Sequence, residues 1–418
     1  MANHHKTRLS RVRVIRVVTL ALAGAAFLCG STNLPAQQKQ SRGARKPASN
    51  ARFETGRPVL NIPFDFEYRQ IVLKVSVNGS APMKFGFDTG AGATILSQSK
   101  TAGLKLKKID TVKVNGVVAG ILAGGVTLSV PGVTVLNQRV VIIPLDGFPC
   151  EVLDLVGFIG YDFIKEFVVE IDYEARTLSL YDPSTYQYAG SGEVIPLTIS
   201  ETPKVQAGII LPGKDPIYGF FEIDTGSDSA LSINSAMVKR HGLLAGSGTQ
   251  MASSNTRVHG ELKAVDVRLG GFQLGRSAIA RPIVSLLPDE ESDNDGPIGN
   301  EILRRFKVTI DYSRQRMMLE PNNHLSDPFE TDMSGIEFES SGENCRVFKV
   351  VGVTEKSPAE ETGVLIGDEI VAIDNKPANQ FTSGQIEKMF MEAEQERSVT
   401  LRRDGKERIV KIMLRRPL

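Results

Sequence analysis

From Val59 onward the chain runs in short stretches where apolar and polar residues alternate. In IVLKVSVNG the apolar positions are Ile71, Leu73, Val75 and Val77, and Asn78-Gly79 closes the run. MKFGFD alternates again through Met83, Phe85 and Phe87. Two alternating runs joined by Asn-Gly predict a β-hairpin. Comparable runs continue to Pro321, and none carries the period of a long helix, so the region is predicted to be mainly β. Beyond Pro321 the pattern breaks. NNHLSDPFETDMSG is polar and turn-rich and predicts a linker. The final segment, Ser334 to Leu418, holds a helix-like SGQIEKMFMEAEQ and the strand-like SVTLRRDGKERIVKIML, turning at Asp404-Gly405.

The β region repeats itself. Asp88-Thr89-Gly90 recurs as Asp224-Thr225-Gly226, an offset of 136 (224 − 88). GYDFIKEFVVEIDYEARTLSL, from Gly160, matches GNEILRRFKVTIDYSRQRMML, from Gly299, at an offset of 139 (299 − 160). Phe167 then pairs with Phe306, Asp172-Tyr173 with Asp311-Tyr312, and Gly103-Leu104 with Gly242-Leu243. A three-residue insertion after the second Asp-Thr-Gly accounts for the change. One offset held over this span marks a duplication. Each copy predicts a hairpin, an acid-bearing turn, a short helix, glycine-containing strands, a glycine turn, and a last strand ending VVEIDY or KVTIDY. Asp172 and Asp311 at those strand ends are expected to be turn acids.

Upstream, Arg8, Arg11, Arg13 and Arg16 precede the apolar VVTLALAGAAFLCG, and LPAQQ offers cleavage after Ala36. That is the pattern of an export signal, and the apolar run is short for a membrane span. A retained leader acting as an anchor is the alternative, and it would be the chain's contact with a membrane. Bulky Phe27 and Leu28 ahead of Cys29 argue against a lipid anchor. The polar QQKQSRGARKPASNARFETGRP predicts a flexible tether. The expected plan is therefore a signal peptide over 1–36, a linker over 37–58, repeats over 59–189 and 190–327, and a C-terminal domain over 328–418. The destination is export, to a periplasm or the medium.

Composition removes several functions. The 49 basic and 48 acidic side chains nearly cancel, so no nucleic-acid partner is indicated. The five histidines, His4, His5, His241, His259 and His324, show no zinc-ligand spacing. Past the leader only Cys150 and Cys345 remain, in different predicted domains, so stability is expected to come from packed cores and not from disulfides.

Chemistry concentrates on the repeated acid. A carboxylate buried in apolar surroundings is pushed toward its neutral form, and two sharing one site cannot easily both ionise. Such a pair can take a proton from a water with one member and hydrogen-bond a carbonyl with the other. Gly90 and Gly226 would let backbone N–H groups approach, Thr89 and Thr225 could lock the loops together, and Phe87, Ile95, Leu96, Ile223, Leu231 and Ile233 would form dry walls. Ser227 follows the second triplet where Ala91 follows the first, and its hydroxyl could reach the acids.

FDTGAGATIL and IDTGSDSALSI resemble the catalytic loops of the retropepsin-like aspartic proteases. FIG, Phe158-Ile159-Gly160, and PIG, Pro297-Ile298-Gly299, are similar to the apolar-apolar-glycine element that packs behind the acid loop in that family. The resemblance covers roughly Val59 to Pro321 and implies two fused β-barrel halves forming a bilobal unit, without the need for a second copy. It implies Asp88 and Asp224 as the catalytic pair, Thr89, Gly90, Thr225, Gly226 and Ser227 as their support, VNGVVAGILAGG and ASSNTRVHGE as flaps, and peptide-bond hydrolysis without metal or cofactor. Pro297 departs from the pattern, and the two flaps are dissimilar. IDTGS is also similar to the phosphate turn of actin-like ATPases, but that fold needs long helices, and no glycine-rich loop ending in Lys-Ser/Thr is present.

SPAEETGVLIGDEIVAIDNKP resembles a bacterial PDZ domain. That implies a small α+β domain whose groove, beside Gly335, Ile336, Glu337 and Phe338, takes peptide or protein C-termini by strand addition, with backbone N–H groups on the carboxylate. Two functions remain open from the sequence: an endopeptidase, or a peptide-binding scaffold on the same fold without turnover.

Overall fold

The computed structural model describes residues 16–19, 49–114, 117–145, 150–246, 250–257 and 260–417. Most of the predicted leader and the tether up to 48 lie outside them. Of the leader, Arg16–Thr19 is a strand in parallel register with Ser254–Arg257. The tether is shorter than the sequence implied. Ala51–Phe53 is already a strand, antiparallel to Val133–Val135, and the Asn50 N–H donates to Glu166. Alternation over so few residues is too weak a signal to reveal such an edge strand.

The duplication is visible as a shared sheet. Val168–Asp172 of the first repeat pairs antiparallel with Phe306–Asp311 of the second, so that Glu170 faces Thr309. Those two residues are each other's counterparts at the offset of 139, which puts the pseudo-two-fold axis between them. Thr177–Tyr181 and Val59–Pro63 extend this sheet on one side, and Arg316–Pro321 and Glu193–Pro196 on the other. One hydrophobic core runs through both repeats, with Phe167, Ile171, Phe306 and Ile310 at the join, each 0% exposed. The hairpin Gln70–Val77 to Met83–Phe87 forms as expected. Its alternation hides a second burial: Val72 points away from Ile71 and Leu73 into a smaller core with Ile95 and Phe158. Both faces of that strand are covered, and Lys74 is its one exposed residue.

The C-terminal domain has its own core, including Phe348, Ile373, Phe390 and Ile412. Its helix Ser383–Phe390 starts with a capping box between Thr382 and Gln385. Pro358–Glu361 is capped by Ser357, whose hydroxyl accepts from the Glu360 N–H, and Gly363 ends it at φ 77°. Asp404-Gly405 turns the last two strands, both at positive φ.

The linker is pinned. Arg305 is 0% exposed, and its guanidinium donates to the carbonyls of His324, Leu325 and Asp327 while stacking 3.7 Å from the Phe329 ring centroid. The expectation of no disulfide is overturned: Cys150 and Cys345, 195 residues apart, are bonded and tie the first repeat to the C-terminal domain. Two lone cysteines carry no spacing pattern, and only the packing of helix Cys150–Asp154 beside Glu343–Cys345 brings them together.

Candidate active site

Each acid ends a strand and enters a turn at the pseudo-two-fold axis. Met83–Phe87 runs parallel to Gly157–Ile159, and the Asp88 N–H donates to Ile159 O at 2.9 Å. Ile217–Ile223 runs parallel to Pro297–Ile298, and the Asp224 N–H donates to Ile298 O at 3.0 Å. The two apolar-Gly elements thus sit directly behind the acid loops. They are glycine-tipped because no side chain fits: a Cβ on Gly160 would lie 2.4 Å from Ala93 O, and on Gly299 2.3 Å from Ser229 O.

The loops lock across the axis. The Thr89 N–H donates to Thr225 Oγ1 and the Thr225 N–H to Thr89 Oγ1, both at 3.0 Å. Each hydroxyl then donates into the opposite strand, Thr89 to Ile223 O at 2.6 Å and Thr225 to Phe87 O at 2.7 Å. The acids face one another closely. A Cβ on Gly90 would lie 2.6 Å from the Asp224 carboxyl carbon, and one on Gly226 2.4 Å from that of Asp88. The Gly90 N–H donates to Asp88 Oδ1 and the Gly226 N–H to Asp224 Oδ1, at 2.9 and 2.8 Å. The expected walls, Phe87, Ile95, Leu96, Ile223, Leu231 and Ile233, are all buried. The Ser227 hydroxyl lies 2.8 Å from that of Ser229.

Both acids are 0% exposed. Burial, then the charge of Asp224, then a side-chain hydrogen bond with Asp224 push the Asp88 carboxyl well above the usual carboxylate range. The Gly90 N–H opposes this only in part. Two carboxyls buried this close to one another cannot easily both ionise, which is the direction of the Asp88 shift.

Asp172 and Asp311 are not part of it. Asp172 caps a turn through the Ala175 N–H and pairs with Lys307 at 2.9 Å, while Asp311 accepts from the Arg314 N–H, Ser313 and Arg316. The tyrosines beside them were paired by the repeat in the sequence but given no role there. Tyr173 and Tyr312 are both buried beneath the loops. Burial and then Asp224 push the Tyr173 phenol up, and burial, then Tyr161 and Asp88, push Tyr312 up. Their shared offset was the available signal.

The flap segments form hairpins, Lys107–Val114 with Val117–Val130 and Gln250–Arg257 with Gly260–Arg268. Their tips, 115–116 and 258–259, lie outside the described residues. In the C-terminal domain Ile336–Ser341 is an edge strand that pairs, among the described residues, with Val347–Val353 alone. That holds Ile336, Glu337 and Phe338 on a sheet edge, as strand addition requires. Two N–H groups expected to meet a carboxylate are engaged within the chain: Gly335 donates to Asp332 Oδ1 at 2.7 Å and Ile336 to Ser334 Oγ at 2.9 Å. A cavity of about 1300 Å³ lies away from the acids, between this domain and the repeats, lined by Tyr68, Arg69, Arg304, Arg346, Gly384 and Lys388 among others.

Residues 73–163 match the family model described as "Aspartyl protease", and residues 333–414 that described as "PDZ domain". The chain carries an aspartyl protease domain and a C-terminal PDZ domain, in a mainly β architecture. The second Asp-Thr-Gly loop falls outside both matched segments. No curated protein matches the chain. Among solved structures it is similar to the aspartic proteinase from Irpex lacteus, at 14% identity and a TM-score of 0.43, covering 64% of this chain and 98% of that one.

Proposed function

We propose that the chain is an exported aspartic endopeptidase. Asp88 and Asp224 hold a water between them. The ionised member takes its proton as the oxygen attacks the peptide carbonyl, and the protonated member hydrogen-bonds the carbonyl oxygen and later supplies the proton that the leaving amine needs. The protons balance within the pair, and no metal, cofactor or covalent intermediate is required. The observation that carries this reading is the mutual enclosure of two carboxyls, one raised by burial and then by the other, on loops that lock across the axis. Protein or peptide substrates follow from the chemistry, and the PDZ domain supplies an edge strand for their C-termini. Export rests on the basic and apolar leader, and a single-chain catalytic unit on the presence of both acids in one chain.

The complete enclosure of both acids favours one other reading, a binding protein on the same scaffold. Unfolded casein incubated with the full chain between about pH 4 and 7 separates the two. New internal termini identified by mass spectrometry, with no hydroxamate formed in added hydroxylamine, support hydrolysis without an acyl-enzyme. Stable binding with no new termini at any pH supports the scaffold.

A further inference from the structure

The two acid loops are related by the repeat, but they are not held alike. The Asn300 Nδ2 donates to two carbonyls at once, Arg69 O and Thr225 O, each at 2.7 Å. Its Oδ1 accepts from the Tyr173 hydroxyl at 2.7 Å. Gln70 adds a bond from Nε2 to Gly226 O at 3.0 Å. Two amide side chains thus fasten the Asp224 loop to the turn Tyr68-Arg69. Asn300 is 0% exposed, so each of these groups would be left unsatisfied without it. In the first repeat its counterpart at the offset of 139 is Tyr161, which has no amide and packs its ring 5.9 Å from that of Tyr312.

The same turn meets the PDZ domain. A Cβ on Gly384 would lie 3.8 Å from Tyr68 Cδ1, and Arg69 Nη2 lies 3.5 Å from Met391 Sδ. Gly384 and Met391 stand at the two ends of helix Ser383–Phe390. Tyr68 and Arg69 both hold positive φ, 52° and 56°, a conformation unfavourable to their side chains that the neighbours on either side fix in place. Arg69 also pairs with Glu301 at 3.4 Å, next to Asn300.

We propose that the PDZ domain is a positioning element of the catalytic site: its helix 383–390 braces the Tyr68-Arg69 turn, and that turn holds the Asp224 loop through Asn300 and Gln70. The Asp88 loop is not braced in this way. A displacement of the helix therefore bears directly on the Asp224 loop and reaches the Asp88 loop only through the threonine bonds across the axis. This rests on the reading of Asp88 and Asp224 as a catalytic pair, and it goes further by making the C-terminal domain part of the site's scaffold.

The test uses the full chain with Tyr68→Asn and Met391→Ala combined. Asn tolerates the left-handed backbone, so the turn survives while its contacts with the helix are lost. Tyr68→Phe keeps the ring and serves as the conservative control. Hydrogen exchange by mass spectrometry is expected to show faster exchange over 224–230 in the double variant, a clearly smaller change over 88–94, and wild-type behaviour in the control. In peptide cleavage kcat should fall about tenfold with KM within about twofold, as for a displaced catalytic group. Adding Asn300→Ala should then cost less than it does in the wild type, because the two changes break one linkage. Unchanged exchange over 224–230 overturns the proposal, and so does equal loss over both loops, which would mean general loosening. Should the wild type cleave nothing, the catalytic reading fails while the exchange comparison still decides whether the brace exists.

Discussion

At the scale of single residues, the site depends on two glycines as much as on two acids. Gly90 and Gly226 each press against the opposite carboxyl at a distance no Cβ can occupy. Gly90→Ala should therefore reduce cleavage about a hundredfold or more and cost roughly 1–3 kcal/mol in urea unfolding. Gly79→Ala is the comparison. Gly79 has φ 79° but nothing within 4 Å of an added Cβ, so strain of about 1 kcal/mol without loss of turnover is expected. The raised Asp88 carboxyl makes a second prediction. The folded chain keeps a proton there that the unfolded chain releases in the ordinary carboxylate range, near about pH 4. The contribution to stability is complete below that range and is lost as pH rises through the folded value. Asp88→Asn should flatten that loss, read as a smaller fall in thermal midpoint between about pH 4 and 7 than in the wild type. A parallel fall in both proteins would contradict it. The acids, the threonines and the glycines were legible in the sequence, because the duplication printed them twice. Asn300 was not. Its place opposite Tyr161 could be aligned, but its role depends on a turn more than two hundred residues earlier.

At the scale of elements, the Thr89 and Thr225 bonds join strands from different repeats. Thr89→Val keeps the shape, removes the donor to Ile223 O and leaves the Thr225 N–H without its acceptor. A cost of about 1–3 kcal/mol is expected for either threonine, since the groups left behind are buried. The double variant should cost less than the sum, because both act in one network. Strict additivity in urea unfolding would show the two bonds to be independent. The hairpin beside the first acid followed from alternation and the Asn78-Gly79 turn, and the packing of the apolar-glycine elements behind the acid loops from the family resemblance alone. The edge strand Ala51–Phe53 and the second burial of Val72 did not, because alternation reports one covered face and says nothing about what covers the other.

At the scale of the molecule, the chain is more tightly joined than its domain pattern suggests. The disulfide and the braced turn hold the PDZ domain against the repeats at separate places, and buried Arg305 pins the linker that leads to it. Cys150→Ser with Cys345→Ser should lower stability by about 2–4 kcal/mol, because the bond closes a long loop. The same variant should expose the 335–341 edge to faster hydrogen exchange, whereas wild-type exchange there would mean the other anchors suffice alone. The central claim is that the two repeats build one site from one acid each. The measurement that addresses it most directly is single-turnover cleavage of a peptide pool by the wild type, Asp88→Asn and Asp224→Asn, with folding of each checked by circular dichroism. Loss of cleavage by about a thousandfold or more in both variants is the predicted result. Full activity in either folded variant would contradict it, since a shared proton needs both carboxyls.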